Sequence, residues 1–156
     1  MMSNPEEKLA ALNITLPTPA KSVANYLPFK QAGDLIFISG QLPLQDRKLP
    51  FTGKVGKEVS LENAKKAAEL CFINILAQFK ESVKGDLSAL EEIVQIQGFV
   101  AAESAFYDHA QIINGASDLA VDIFGEKGRH SRFAVGVSSL PLNTPVEISA
   151  IIRVRL

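Results

Sequence analysis

The stretch RFAVGVSSLPLNTPVEISAIIRVR, residues 132–155, decides how this chain folds. Apolar side chains alternate with small or polar ones over Phe133–Ser139 and again over Val146–Arg155, and this period of two is typical of β-strands. The two predicted strands are joined through Leu140–Pro145. In the second strand, valine, isoleucine and alanine side chains take one face, and Glu147 lies on the other, more polar face.

The sequence before these strands predicts two long helices. Ser60 is a residue type that caps helices, and apolar residues recur after it at helical spacing as far as about Val83. A second stripe with this spacing runs over Phe106–Phe124 and stops at Gly125, a residue type that often ends helices. Gly115 lies inside this second helix. A glycine there costs about 1 kcal/mol relative to alanine, which indicates a close neighbour.

Three further strands are predicted. Ile93–Ala101 alternates with period two, and the short runs Tyr26–Phe29 and Leu35–Ser39 flank the turn-forming residues 32–34 as an antiparallel pair. The order β-β-α-β-α-β-β favours an α+β fold, with one sheet and both helices on one of its faces. The other face still carries valine, isoleucine and phenylalanine. Association with another chain is the simplest way to cover it.

Composition indicates one domain and argues against several classes of function. A chain of 156 residues with 47% apolar residues suits a single domain over residues 1–156, with residues 1–20 as a helical appendage that begins near Asn4 and runs to Leu12. A formal charge of -1 provides no basic excess, so no nucleic-acid partner is expected. Charged residues stand where a signal peptide needs an apolar run, and no segment is long enough to span a bilayer. We therefore expect a cytoplasmic protein without a membrane partner.

Metal and thiol chemistry have little support in the sequence. Cys71 is the single cysteine, and His109 and His130 are the only histidines, so neither a metal site nor a cofactor is expected. Cys71 falls on the apolar stripe of its helix and is interpreted as a small buried side chain. His130 lies in a glycine-bounded loop, and its imidazole suits general-base chemistry, although a lone loop histidine is more often just solvated. His109 is placed on the polar side of a helix and is assigned no role.

Arg132 is the strongest candidate for a binding residue. It begins a row of small side chains on one face of its strand, which leaves space beside the cation. A guanidinium is well shaped to bind a carboxylate through two parallel hydrogen bonds. Glu147 is placed on the same polar side, where it could order a water or move a proton. The pair predicts a site for a small anionic molecule. The alternatives are a structural salt bridge or two solvated charges.

Two motifs in the chain resemble the signatures of the Rid (YjgF) family. The first is IFISGQLP at Ile36–Pro43, and the second is RFAVGVSSLP at Arg132–Pro141, followed by VEI at Val146–Ile148. Between them, Gly53–Gly56 leads into an alanine-rich helix, as in the family. The resemblance covers roughly Tyr26–Arg155.

This resemblance implies a chorismate-mutase-like fold that assembles as a homotrimer, with the three sheets forming a central barrel and a ligand site in each cleft between subunits. In deaminating members an arginine, here Arg132, holds the carboxylate of a 2-imino acid, and a glutamate, here Glu147, positions the attacking water. Tyr26 matches the family's tyrosine and is, with Arg132 and Glu147, a candidate catalytic residue. Ser39, Gly40 and, near the helix asparagine, Asn114 match residues that line the family's pocket. Ala134 stands where the family usually has a cysteine, and its backbone N–H could still donate a hydrogen bond. Ser149 replaces a second glutamate.

Three functions are compatible with these residues. The first is hydrolytic deamination of reactive 2-imino or 2-enamino acids to 2-keto acids and ammonia, without metal or cofactor, as in the 2-iminobutanoate/2-iminopropanoate deaminases of the family. The second is a non-catalytic trimer that binds small carboxylates and regulates or sequesters them. The third is an endoribonuclease or translation inhibitor, a label attached to parts of the family. Net charge and the lack of an aromatic-basic strip give it little support.

Overall fold

The structure, a computed structural model, describes residues 4–19, 21 and 24–156. Within them the chain forms three α-helices and five β-strands in the order α1 (Pro5–Ala11), β1 (Phe29–Ala32), β2 (Leu35–Gln41), α2 (Leu61–Ser82), β3 (Leu90–Ala101), α3 (His109–Phe124), β4 (Ser131–Val137) and β5 (Val146–Val154). Short 3-10 turns precede β3 and follow α3 and β4. The predicted order of the long elements is confirmed.

The five strands form one mixed sheet in the order β1-β2-β5-β3-β4. Strand β3 pairs antiparallel with β5 and parallel with β4, so the last two strands of the chain do not touch each other. Helices α2 and α3 pack on one face, where Ile38, Ile96 and Ile148 from three different strands are buried beneath them. The α+β fold with both long helices on one side of a single sheet is therefore confirmed.

Helix boundaries follow the capping signals in the sequence. The Ser60 hydroxyl accepts a hydrogen bond from the backbone N–H of Asn63 at 3.1 Å, which satisfies one of the free donors at the start of α2. Gly125 ends α3 with a φ of 61°, a conformation that glycine adopts without steric cost. The close neighbour expected at Gly115 is the backbone of α2, because a β-carbon there would overlap the carbonyl oxygen of Lys65.

Several predicted boundaries are wrong. Strand β3 begins at Leu90 rather than Ile93, and β4 is Ser131–Val137 rather than Phe133–Ser139. The first strand is Phe29–Ala32 rather than Tyr26–Phe29, because the hairpin is tight and Ala32 pairs with Leu35 directly across the turn. Helix α3 begins at His109, so Phe106 lies before it, in a turn where its backbone N–H donates to the carbonyl of Glu103. Its ring nevertheless packs against the core, which explains why Phe106 extended the helical pattern.

The N-terminal appendage is a short helix that packs on the domain. Asn4 caps α1 by accepting a hydrogen bond from the N–H of Glu7, and Leu9 is buried. Residues 1–3 and 20 of the predicted appendage lie outside the described residues. Throughout the described part of the chain, every helix is too short or too polar to cross a bilayer.

The second face of the sheet carries apolar side chains, and none of the described helices lies on it. Phe37, Phe133 and Val135 are exposed there, and Phe99 packs edge-on against Phe133 with ring centroids 5.4 Å apart. We call this surface the open face, defined by Phe37, Phe99, Phe133, Val135, Glu147 and Ile151. An apolar surface of this kind usually marks an interaction site.

Candidate functional site

A β-bulge in β2 brings Gly40 against Glu147. Ile38 pairs with Ala150 and Gln41 pairs with Ile148, so two residues of β2, Ser39 and Gly40, lie opposite a single residue of β5. Such bulges are frequent beside functional sites because they redirect the strand locally. At Gly40 a β-carbon would lie 2.9 Å from Oε2 of Glu147. The bulge and the glycine together make room for the carboxylate.

The Glu147 side chain is half-buried, and this burial raises the pKa of its carboxyl above the ordinary value. Among the described residues, no lysine, arginine or histidine forms a salt bridge with it. The thiol of Cys71 is close by, 3.7 Å from the carbonyl of Val146. Burial first, and then the Glu147 carboxylate, raise the pKa of Cys71 well above its ordinary value. The thiol is thus inert, and the partly desolvated carboxylate is the group that can accept a proton.

Ser39 of β2 holds the segment that carries Tyr26 next to this part of the sheet. The Ser39 hydroxyl donates to the carbonyl of Leu27 at 2.7 Å, and its backbone N–H donates to the carbonyl of Pro28 at 2.9 Å. Both bonds hold the segment that carries Tyr26 along β2, and the tyrosine itself is 57% exposed. Tyr26, Ser39, Gly40 and Glu147 therefore belong to one region, which we call the glutamate half-site.

Arg132 lies elsewhere, on the edge strand β4 beneath α3. Its Nη1 donates to the Ser117 hydroxyl at 3.0 Å, and its Nη2 donates to the carbonyl of Ala110 at 3.3 Å. Both acceptors are neutral groups of α3. Within the described residues no carboxylate pairs with Arg132, whereas Arg153 bonds Glu92 at 2.6 Å. The guanidinium is thus half-buried and oriented by neutral groups, and the described residues of one subunit show no salt bridge between Arg132 and Glu147.

Two other predicted residues accompany Arg132. Ala134 follows Arg132 by two positions in β4 and pairs with Gly98. The side chains of Arg132 and Ala134 therefore both point toward the helices. Asn114 lies one turn beyond Ala110 and one turn before Ser117, on the same side of α3. We call Asn114, Ser117, Arg132 and Ala134 the arginine half-site.

The prediction that Arg132 and Glu147 share one side of the sheet is wrong within a single subunit. Arg132 pairs with Ile96, whose other partner is Ala150, and these residues face the helices. Glu147 pairs with Phe99 on the open face. Alternation fixes which residues share a face within one strand, but it does not relate two strands that have another strand between them. The two half-sites of one subunit are therefore separate.

Ser117 contacts Arg132, and His130 contacts Ser117 in turn; the sequence did not predict either contact. The Nε2 of His130 is 2.8 Å from the Ser117 hydroxyl, and its Nδ1 is 2.7 Å from the carbonyl of Gly128. The imidazole is half-buried and held on both nitrogens, so it is not simply solvated. Its position two residues before Arg132 in an extended segment was the available signal, because such residues share a face.

His109 also has surroundings that the sequence did not suggest. Its ring packs on Gly136, where a β-carbon would lie 2.5 Å from Nε2, and it meets Phe106 edge-on with centroids 5.4 Å apart. With Lys54 and Tyr107 it lines a surface cavity of about 460 Å³ beside β4. Gly136 thus provides space for an imidazole at the end of the row of small side chains that begins after Arg132.

A dedicated metal centre is not formed by the residues that the structure describes. No group of at least three histidine, cysteine, aspartate or glutamate side chains converges there.

Comparisons with known proteins identify the family and the fold. A model of the YjgF/chorismate mutase-like endoribonuclease family matches residues 6–151. Atu1372 from Agrobacterium tumefaciens, a protein of unknown function, is 46% identical over 97% of this chain and 92% of that one, with a TM-score of 0.92. A Shewanella oneidensis structure is 32% identical over 97% of this chain and all (100%) of that one, with a TM-score of 0.94. Protein TCP17 of Trypanosoma cruzi is 35% identical over 93% of this chain and 91% of that protein. The chain belongs to the YjgF/chorismate mutase-like family, the Rid family that its two motifs resemble.

Proposed function

We propose that this protein hydrolyses reactive 2-imino acids and their enamine tautomers to 2-keto acids and ammonia, at sites between the subunits of a homotrimer. The observation that carries the proposal is the pair of incomplete half-sites. Each contains one charged, half-buried group without an opposite charge among the described residues: the guanidinium of Arg132 and the carboxyl of Glu147.

Arg132 binds the carboxylate of the substrate. Its two known hydrogen bonds go to a hydroxyl and to a carbonyl, so the positive charge and the remaining N–H donors are free for an anion. A planar guanidinium pairs with a carboxylate through two parallel bonds, which also fixes the orientation of the carbon next to it. Ala134 leaves space beside that ligand.

Glu147 activates the water. Its raised pKa makes it a better proton acceptor than an exposed carboxylate. The water oxygen bonds to the imine carbon, the C=N electron pair moves to nitrogen, and the water proton passes through Glu147 to that nitrogen. The remaining hydroxyl proton then follows the same route. The C–N bond breaks, ammonia leaves and the C=O bond forms. Because the imine carbon is already electrophilic, positioning and this proton transfer suffice.

Assembly joins the two half-sites. Arg132 lies on the edge strand β4, and Glu147 lies on the apolar open face, so neither completes a site within its own subunit. In the proposed trimer the open faces cover one another, and the arginine half-site of one subunit meets the glutamate half-site of the next. Burial of the exposed apolar side chains Phe37, Phe133 and Val135 provides the free energy of association.

A binding module without turnover is the second candidate. Ala134 and Ser149 replace side chains that deaminating relatives usually have, and neither replacement removes the cation that holds the ligand. Such a trimer would need Arg132 and tolerate the loss of Glu147. The endoribonuclease label of the family comes last, because a formal charge of -1 provides no attraction for a phosphate backbone.

The deciding experiment generates 2-aminoacrylate or 2-aminocrotonate in situ with a pyridoxal-phosphate-dependent dehydratase and follows keto-acid formation. We expect the purified protein to accelerate that step in proportion to its concentration. The dehydratase alone and the dehydratase with the Glu147→Gln variant serve as controls. If several such imines turn over at the uncatalysed rate while 2-oxobutanoate still binds, the binding module is the correct function.

A further inference from the structure

Three side chains form a hydrogen-bonded row behind the arginine half-site. Nη1 of Arg132 lies 3.0 Å from Oγ of Ser117, and that oxygen lies 2.8 Å from Nε2 of His130. Nδ1 of His130 lies 2.7 Å from the carbonyl oxygen of Gly128, where the row ends. The row therefore runs from an oriented cation on β4, through a hydroxyl of α3, to the backbone of the turn after α3.

With the His130 imidazole neutral, the chemistry of the four groups gives this row one direction. The Gly128 carbonyl can only accept, so Nδ1 of His130 carries a proton, and Nε2 of the neutral imidazole is then an acceptor. The Ser117 hydroxyl consequently donates to His130 and uses a lone pair to accept from Arg132, which can only donate. Every member is satisfied in this arrangement. The tautomer follows from these partners.

The far end of the row is fixed by backbone packing. Gly128 is buried, and a β-carbon at this position would overlap the carbonyl oxygen of Ala120 in α3. Ser117 is part of the same helix, and the Ala110 carbonyl at its first turn holds Nη2 of Arg132. The hydrogen bonds to Ser117 and Ala110 therefore fix both terminal nitrogens of the guanidinium on one rigid helix. They also fix the plane of the guanidinium and the directions of its remaining N–H groups.

We propose that Ser117 and His130 are positioning residues. They hold the Arg132 guanidinium in the orientation that binds the substrate carboxylate, without neutralising its positive charge. A carboxylate partner would also orient the guanidinium, but it would neutralise the charge that attracts an anionic ligand. A hydroxyl that donates to a neutral imidazole orients the guanidinium without neutralising its positive charge. This inference rests on the proposed function, since it takes a carboxylate as the ligand. Neither residue contacts the substrate.

The test measures the dissociation constant of 2-oxobutanoate and the KM and kcat of the 2-aminocrotonate reaction, in the full-length protein and at equal subunit concentration. Ser117→Ala removes the hydroxyl, and Ser117→Thr keeps it. His130→Phe removes the acceptor, and His130→Gln places an amide oxygen where Nε2 lies. Ser131→Ala is the matched control, because Ser131 bonds the Val94 carbonyl at 3.0 Å and takes no part in the row.

We expect Ser117→Ala and His130→Phe each to weaken binding about 10-fold, as for a lost hydrogen bond to a charged group. KM should rise with little change in kcat, and the Thr and Gln variants should recover most of the affinity. The double variant Ser117→Ala with His130→Phe should bind about as weakly as either single variant, because the two side chains act in series.

Several outcomes would overturn the inference. Wild-type affinity for 2-oxobutanoate in Ser117→Ala contradicts it. It is also contradicted if the two losses of affinity multiply in the double variant, or if His130→Gln binds no more tightly than His130→Phe. If His130→Phe does not fold, the comparison of Ser117→Ala, Ser117→Thr and His130→Gln still decides. A wild-type protein that binds no 2-oxobutanoate and turns over no imine instead contradicts the proposed function on which the inference rests.

Discussion

The Glu147 carboxylate lies so close to the backbone of Gly40 that a β-carbon there would be 2.9 Å from its Oε2 and 3.0 Å from its Cδ. Gly40 is the second residue of a bulge, and its φ is not one that requires glycine. The glycine is therefore explained by the space that Glu147 occupies. Since the obstructing atoms are the end of a flexible side chain, the carboxylate rather than the strand would move if that space were filled.

Gly40→Ala should therefore impair turnover without unfolding the protein. The new methyl group displaces the Glu147 carboxylate from its position, and a small misplacement of a catalytic group costs on the order of 10²-fold in rate. Thermal unfolding and keto-acid formation are measured on the same preparation. In a Glu147→Gln background the added methyl group should have little further effect on the rate. A fully active Gly40→Ala variant would show that the position of Glu147 is not critical.

Glu147→Gln should lower kcat on the order of 10²-fold, because the proton acceptor is lost while size and hydrogen bonding are kept. Affinity for 2-oxobutanoate should be kept or improve. Because burial raises the pKa of Glu147 from 4.5, wild-type kcat should fall as pH drops through a range above that value. This acidic limb should be absent from the residual rate of the variant. A variant with normal kcat supports the binding module, and loss of the trimer would make Glu147 a structural residue.

The same substitution should stabilise the fold at neutral pH. A carboxyl whose pKa is higher in the folded than in the unfolded state binds more protons when folded, so stability decreases as pH rises from 4.5 through the folded pKa. The stability lost in this way is not regained at higher pH, and a glutamine, which does not ionise, avoids the loss. We expect Glu147→Gln to have the higher melting temperature at pH 7 and no such advantage below pH 4, at fixed subunit concentration. Equal gains at both pH values would contradict this origin.

Arg132→Lys should lose most of the affinity for 2-oxobutanoate. An ammonium group cannot make the two parallel bonds of a guanidinium, nor can it span Ser117 and Ala110 with two nitrogens. The expected loss is about 10- to 100-fold. Circular dichroism should show an intact fold, since both acceptors on α3 are near solvent. Wild-type affinity in the lysine variant would mean that Arg132 is not the carboxylate anchor.

The wild-type protein should be a homotrimer at micromolar concentration, and Val135→Asp should weaken this assembly. Val135 is 41% exposed on the open face, so the aspartate is tolerated in the subunit, but in the trimer it would bring three carboxylates into an apolar interior. Light scattering or sedimentation gives the mass. Val121→Asp is the charge control, because Val121 is a 40% exposed valine of α3, on the opposite side of the sheet from the open face. A wild-type monomer would contradict the trimer and, with it, the shared site.

Sequence patterns were sufficient for the elements of the fold but not for the relation between its strands. Period-two runs located β3, β4 and β5, and the Ser60 cap and Gly125 marked helix ends. Alternation within a strand does not show which residues of two different strands lie on the same face of the sheet. Arg132 and Glu147 were therefore placed on one side, although β3 separates their strands and they point to opposite faces.

The supporting residues of Arg132 were also beyond the sequence pattern. Ser117 and Ala110 belong to a different element, and only the packing of α3 on β4 brings them to the guanidinium. Family motifs identified the candidate ligand-binding residues, whereas the groups that orient Arg132 follow from tertiary packing. His130 is a partial exception, because it lies two residues before Arg132 in an extended segment, where side chains share a face.

Gly115 has a bearing on the site although it lies on the far side of α3 from the arginine. Because α3 rests backbone to backbone on α2 at this glycine, any larger residue would lift the helix from its neighbour. Ala110 and Ser117 would move with it, and the guanidinium would lose both attachments at once. If Arg132 binds the substrate as proposed, substrate affinity should therefore depend on the distance between α2 and α3, and a substitution at buried Gly115 should change that affinity without contacting the ligand.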